Sequence, residues 1–166
     1  MATSTLIQKL DATALVSNTS GSPGSYTSVE IPDVSNRRQV ETFIAGATVA
    51  VGDWLQFDTS ATGAARVATV IQATNVLLGN PLVVGVCLGS AESSGALTAG
   101  SKINVIVAGY AETANVDGAV AAGSPLVVDT TAGRAHVAVT GDLSVCGVAL
   151  AADVANVAPV WVYKQF

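Results

Sequence analysis

Val51-Gly52-Asp53-Trp54-Leu55-Gln56-Phe57-Asp58-Thr59-Ser60-Ala61 aligns without a gap on Ala122-Gly123-Ser124-Pro125-Leu126-Val127-Val128-Asp129-Thr130-Thr131-Ala132. Each stretch reads as a glycine-bearing turn, a short apolar strand and an Asp-Thr turn. Each is followed by an arginine, Arg66 or Arg134, that leads into a Val/Ala run. A second landmark comes next, Val83-Val84-Gly85-Val86-Cys87-Leu88 in one copy and Val145-Cys146-Gly147-Val148-Ala149-Leu150 in the other. Asn104-Val105-Ile106-Val107 and Pro159-Val160-Trp161-Val162 close the two blocks. Four landmarks in one order mark an internal repeat, spanning about residues 47–112 and 118–166.

The blocks are built of strands. Short Val-rich runs separated by Gly, Asp-Thr and Asn-Pro signals recur from Val40 onward, and no window of helical length holds a 3.6-residue period. The expected strands are Val40–Ile44, Trp54–Asp58, Ala65–Ile71, Leu82–Leu88, Lys102–Tyr110, Leu126–Asp129, Ala135–Val139, Ser144–Leu150 and Val157–Tyr163. Neither block can bury its apolar face alone, so the two stack on each other. The expectation is an all-β barrel or sandwich of two pseudo-repeated antiparallel blocks over residues 40–166. Residues 1–39, rich in Ser, Thr, Asn, Gly and Pro with little periodicity, are expected to form an extended N-terminal arm.

Composition narrows the function. Half of the 166 residues are hydrophobic and 11% are charged, against roughly a quarter charged in an ordinary soluble domain. The exterior must therefore be built from Ser, Thr, Asn, Gln, Gly and Ala, which suits contact with other protein. A net charge of −5, with Arg37-Arg38 the one adjoining basic pair, lacks the footprint of a nucleic-acid binder. The longest uncharged stretch, Val67 to Ala91, is broken by Gln72, Asn75, Gly79, Asn80 and Pro81, so no membrane-crossing helix is expected. Met1 to Leu15 carries no basic region followed by an apolar core, so no secretory signal is expected either. The product is expected in the cytoplasm where it is made.

No catalytic, cofactor-binding or metal site is expected. The two Asp-Thr elements at Asp58 and Asp129 resemble the paired loops of aspartic proteases, whose carboxylates share a proton. Against this, those enzymes place Gly after Asp-Thr, have longer lobes and carry a flap hairpin. Both aspartates are better read as strand-ending Asx or ST turns. His136 is the only histidine, which excludes a His-based metal cluster within one chain, and alternation sets it on the face opposite Ala135 and Val137, toward solvent or a partner. Asp53, Asp58, Asp117 and Asp129 match no calcium loop. Gly118 to Gly123 is followed by Ser-Pro rather than Lys-Ser/Thr, so it is no phosphate loop. By the repeat alignment Cys87 and Cys146 lie on opposite faces of equivalent strands and stay free thiols.

Large side chains are scarce in this Ala/Val background. Alternation that buries Leu55 and Phe57 points Trp54 outward, and Trp161, Tyr163 and Phe166 end the chain in exposed aromatics suited to an interface. Arg37, Arg38 and Glu41, where the arm meets the first strand, complete the expected set of contact residues.

The runs Val40–Ile44, Val51–Leu55, Val84–Leu88, Ile103–Tyr110 and Val160–Phe166 resemble small β-barrel head proteins of tailed bacteriophages, the capsid decoration or cement proteins. The resemblance covers about residues 35–166. It implies a protein bound outside an assembled icosahedral head as a homotrimer, with the major capsid protein and itself as partners, joining capsid subunits at the exterior of a virion assembled in the host cytoplasm. The alternative is a tail- or fibre-associated β module or a glycan-binding virion module, against which stands the lack of an Asp/Asn/His sugar-binding constellation.

Overall fold

The structure, a computed structural model, describes residues 38–75 and 80–165. The expected arm, and with it Arg37, lies outside the described residues except for Arg38 and Gln39. Those two are the first residues of a strand rather than the end of an arm, and the compact body begins at Arg38.

Among the described residues, nine strands form one continuous sheet. They are β1 (Arg38–Ala45), β2 (Trp54–Phe57), β3 (Thr69–Gln72), β4 (Val83–Ser90), β5 (Lys102–Asn115), β6 (Pro125–Val128), β7 (Ala135–Val137), β8 (Gly147–Ala149) and β9 (Val157–Val162). Each expected strand has its counterpart, and no α-helix occurs among the described residues. The main departure is Ala65–Val67, expected as the start of β3, which instead belongs to a 3₁₀ turn over Gly63–Val67. Nothing is buried in that turn. Gly and Ala have little strand preference, and with no face to cover and no partner strand opposite, nothing keeps this segment extended.

The first five strands close on themselves. Their order is β1-β3-β2-β4-β5, and β5 returns to pair with β1, which meets β3 in parallel through Ile44 and Ala45. All other ladders of this barrel are antiparallel. At 14 residues β5 outlasts it. The far end of the strand, from Gly109 to Asn115, pairs with β9, and the sheet continues β9-β8-β6-β7. A parallel bridge from Val116 to Ala135 brings β7 back to the end of β5.

The sheet separates two cores. Phe43, Leu55, Val70, Val84, Cys87, Ile103, Val105 and Val107 fill the first barrel. The other core joins Trp54, Val86 and Ile106 of the first barrel to Ala111, Ala114, Val116, Leu126, Cys146, Val160 and Val162 of the second half. Residues directly opposite in a ladder share a face, and the registers Trp54↔Val86↔Ile106↔Val40 make a single rung. This rung lies on the face opposite Leu55 and is packed against the second half, with Val40 partly buried on the same cluster. The expectation that Trp54 points to solvent is therefore overturned: it is 0% exposed. Alternation places it correctly on the face away from Leu55, but that face is a second interior. β2 is a strand buried on both sides.

A polar hub locks the same seam. Asp53 is buried, and its carboxylate accepts from the Ala50 amide at 2.7 Å, Gln72 Nε2 at 2.7 Å and Asn115 Nδ2 at 2.8 Å. The backbone adds Trp54 N–H to the Gly133 carbonyl and Asn115 N–H to the Gly52 carbonyl. A buried carboxylate is tolerable only when its acceptors are satisfied, and here the donors come from β3 and β5 as well as from the preceding turn.

Both cysteines are free and buried, each in a different core. Burial pushes the Cys87 thiol up to about 11 and the Cys146 thiol higher still. Only a thiolate alkylates readily. Native protein at neutral pH is expected to resist iodoacetamide, with both cysteines labelled after denaturation; labelling of the folded protein, read by mass spectrometry, contradicts the packing. Trp54→Ala is expected to cost about 3–5 kcal/mol in chemical denaturation, the scale of an aromatic removed from a core. A loss under about 1 kcal/mol would show that the two halves do not pack through this side chain.

Candidate interaction surface

Of the expected contact residues, Arg38 and Glu41 lie on β1, and Trp161 and Tyr163 lie on β9 and just past it, one strand away. Gly109, midway along β5, has Arg38 opposite it on one side and Val162 of β9 on the other. The start of β1 and the end of β9 are therefore separated by a single strand. Glu41 Oε1 accepts from Gln39 Nε2 at 2.8 Å and lies 3.8 Å from Lys164 Nζ, tying β1 to the residues after β9. An ion pair this exposed contributes little to stability and serves to place the two segments side by side. Arg38 and Glu41 are half-buried, while Trp161 is 38% and Tyr163 42% exposed. Trp54 lies in the core, and Arg37 and Phe166 lie outside the described residues.

Trp161 stands outward because its neighbours Val160 and Val162 fill the second core. Its cross-strand partners are Tyr110 on β5 and Val148 on β8, and Pro125 on β6 lies opposite Val148 in turn. Tyr163 extends the chain beyond β9, and near the other end of that strand the Leu150 amide bonds to the Pro159 carbonyl. Leu150 is 46% exposed. Tyr110, Val148 and Leu150 were missed in the sequence because their membership depends on which strand lies beside β9, and one of those neighbours is the far half of a strand that both halves share.

The two Asp-Thr loops act as turns. Asp58 Oδ1 accepts from the Ser60 amide at 2.9 Å and its hydroxyl at 2.6 Å. Asp129 Oδ1 accepts from the Thr130 amide at 2.7 Å. Asp129 also faces His136, whose Nδ1 is 3.5 Å away, while His136 Nε2 is 3.4 Å from Asp142 Oδ2. His136 thus lies half-buried between two carboxylates, where alternation alone set it toward solvent or a partner. Asp142 in turn accepts from the Val139 amide at 2.8 Å, folding the segment after β7 back over it. Asp117 pairs with Arg134 at 3.7 Å beside the same loop. No group of three or more His, Cys, Asp or Glu among the described residues is arranged to hold a metal ion. No helix among them is long and apolar enough to cross a membrane.

No family model matches the chain, and a search of curated proteins finds no match.

The Ser60 hydroxyl, then the Ser60 and Ala61 amides, hold the Asp58 carboxyl below its ordinary value. Burial pushes Asp129 up, but the Thr130 amide, Asp117, Thr131 and His136 outweigh it and the net direction is down. A depressed carboxylate adds stability above its unfolded value of about 3.9, and that stability is lost as pH falls through the folded value. The thermal midpoint of the wild type is expected to drop between about pH 5 and about pH 3, and that of the Asp58→Asn/Asp129→Asn double variant to drop less. Equal slopes would show that these turns do not hold the carboxylates in the charged form.

Proposed function

We propose that the chain is a capsid decoration, or cement, protein of a tailed bacteriophage: it binds the outer surface of the assembled head and bridges joints between major capsid subunits. The protein is a structural part of the virion exterior, with no enzymatic role, and its partners are the capsid protein and further copies of itself, as a homotrimer. Nucleic acid and membrane are not among them. One observation carries this reading most: the outer face of β9 and the residues after it present Trp161 and Tyr163 exposed. Exposed aromatics beside a few polar groups are the composition of binding hot spots. The sparse charge of the chain fits an exterior meant for protein contact. Ladders that bury one strand on both faces fit a part that must transmit load without deforming.

We infer further that the body arose as two copies of one five-stranded unit, merged by sharing β5, so that the end of β5 stands in the second half where β1 stands in the first. The ungapped alignment extends backward from the Asp-Thr loops, and Val40-Glu41-Thr42 falls on Ala111-Glu112-Thr113. The ladders support it at β2, β4 and the far end of β5, while a bulge between Ala111 and Ala114 shifts the register by one, so that Tyr110 rather than Ala111 lies opposite Trp161. Trp54↔Val86 and Leu55↔Gly85 in the first half correspond to Pro125↔Val148 and Leu126↔Gly147 in the second. Even the tight approach is repeated: a Cβ on Gly85 would strike the Ile106 carbonyl oxygen, and one on Gly147 would strike that of Trp161.

A cement protein that binds only the assembled lattice stabilises it by mass action, adding about 2.7 kcal/mol per site at a hundredfold excess over Kd. Heads lacking the protein are expected to unfold at a higher temperature when the purified chain is added, and to carry it as added density on their outer surface in cryo-electron microscopy. Heads whose melting is unchanged by a saturating excess, with no added density, would refute the assignment.

A further inference from the structure

Asp117-Gly118 is the one place in the 166 residues where an Asp or Asn precedes Gly. With no side chain on Gly118, nothing stands over the peptide nitrogen that follows the aspartate. The pair lies just past β5, where the chain leaves the strand that both halves share and turns toward β6. Gly118 is exposed, its φ is +73°, and a Cβ there would meet nothing within 4 Å. Its amide donates to no other described residue. The Asp117 side chain is 47% exposed, and its contact with Arg134, at 3.7 Å, is an open ion pair that solvent screens.

The other described aspartates are held differently. Asp53, Asp58, Asp129, Asp142 and Asp153 each accept a backbone amide through the side-chain carboxylate, and each precedes a residue larger than glycine. Among the described residues no backbone amide donates to the Asp117 carboxylate. We propose that Asp117-Gly118 is a spontaneous modification site, at which the folded chain converts aspartate to isoaspartate through a cyclic imide. The Gly118 nitrogen attacks Cγ of the Asp117 carboxylic acid. The N–Cγ bond forms, the Cγ–OH bond breaks, and the amide proton and the hydroxyl leave as one water. A second water opens the five-membered ring at either carbonyl. Attack at the main-chain carbon of Asp117 breaks its bond to the Gly118 nitrogen and leaves the chain running through the former side chain, while attack at Cγ restores aspartate. No oxidant or cofactor takes part, and the overall mass is unchanged.

The neighbouring bonds let the product stay folded. Before the site, the Asp117 amide donates to the Ala135 carbonyl at 2.8 Å and the Val116 amide to the Asn156 carbonyl at 2.9 Å. Beyond it, the Val120 amide donates to Asp153 Oδ1 at 2.9 Å and the Asp153 amide to the Val120 carbonyl at 3.1 Å. The methylene that isoaspartate adds to the backbone is taken up between these anchors, at Gly118 and Ala119, both exposed. The carboxylate moves onto the α-carbon, which breaks up the Asp117–Arg134 pair. This inference is independent of the capsid reading.

The test incubates the purified full chain at near-neutral pH, folded and in denaturant, and follows residue 117 by peptide mapping with electron-transfer fragmentation, which separates isoaspartate from aspartate. The folded wild type is expected to accumulate isoaspartate at 117 ahead of every other aspartate. Its rate is expected within about tenfold of the denatured chain, since a site that needs no local opening gains little protection from the fold. Gly118→Ala, which sets a methyl group beside the attacking nitrogen, is expected to slow the conversion in both states, so the comparison holds even if the variant folds poorly. A folded chain that keeps Asp117 intact while the denatured chain converts overturns the proposal, and so does a Gly118→Ala chain that converts as fast as the wild type in denaturant.

Discussion

Everything in this fold depends on β2 being buried on both faces. Leu55 points into the first barrel and Trp54 into the core of the second half, so a four-residue strand belongs to two interiors at once. Neither half is a complete globule without that strand. A five-stranded unit of this size would be marginal alone. The second half gains what it lacks by taking Trp54, Val86 and Ile106, the outer rung of the first, as part of its own core.

Sharing β5 makes this arrangement obligatory. One continuous strand of 14 residues supplies the last stave of the first barrel and the opening stave of the second half, so the halves cannot swing apart about a linker. The Asp53 hub works at the same place by a different force. Its three donors arrive from the preceding turn, from β3 and from the end of β5, and any slip of one half against the other would strand a buried carboxylate. Hydrophobic packing supplies the adhesion, while the hub fixes the register, because apolar surfaces tolerate sliding and hydrogen bonds do not.

The architecture was legible in the sequence wherever periodicity and turn chemistry agreed. β2 and β6 lie within one residue of their expected bounds because a glycine turn precedes and an Asp-Thr turn follows each. What could not be read was the destiny of a face. Alternation tells that Trp54 opposes Leu55, but whether the outer face meets water or a second core depends on contacts more than fifty residues distant. The same limit hid Tyr110 and Val148 as flanks of Trp161, and hid Asp142 as a partner of His136, since a loop aspartate acquires meaning only when its segment folds back. Ala65–Val67 failed for the converse reason: an Ala-rich run with little strand preference and nothing opposite it became a turn.

These contacts bear on why the molecule exposes aromatics on one rung and not on the other. Tyr110, Trp161, Val148 and Pro125, successive partners across β5, β9, β8 and β6, form an outer rung that carries no charged side chain. A unit that needed only to be soluble would carry charge there, as capping repeats do. Exposed aromatic residues on a face that no other described element covers suit the contact surface proposed above, and Trp161 and Tyr163 are among them.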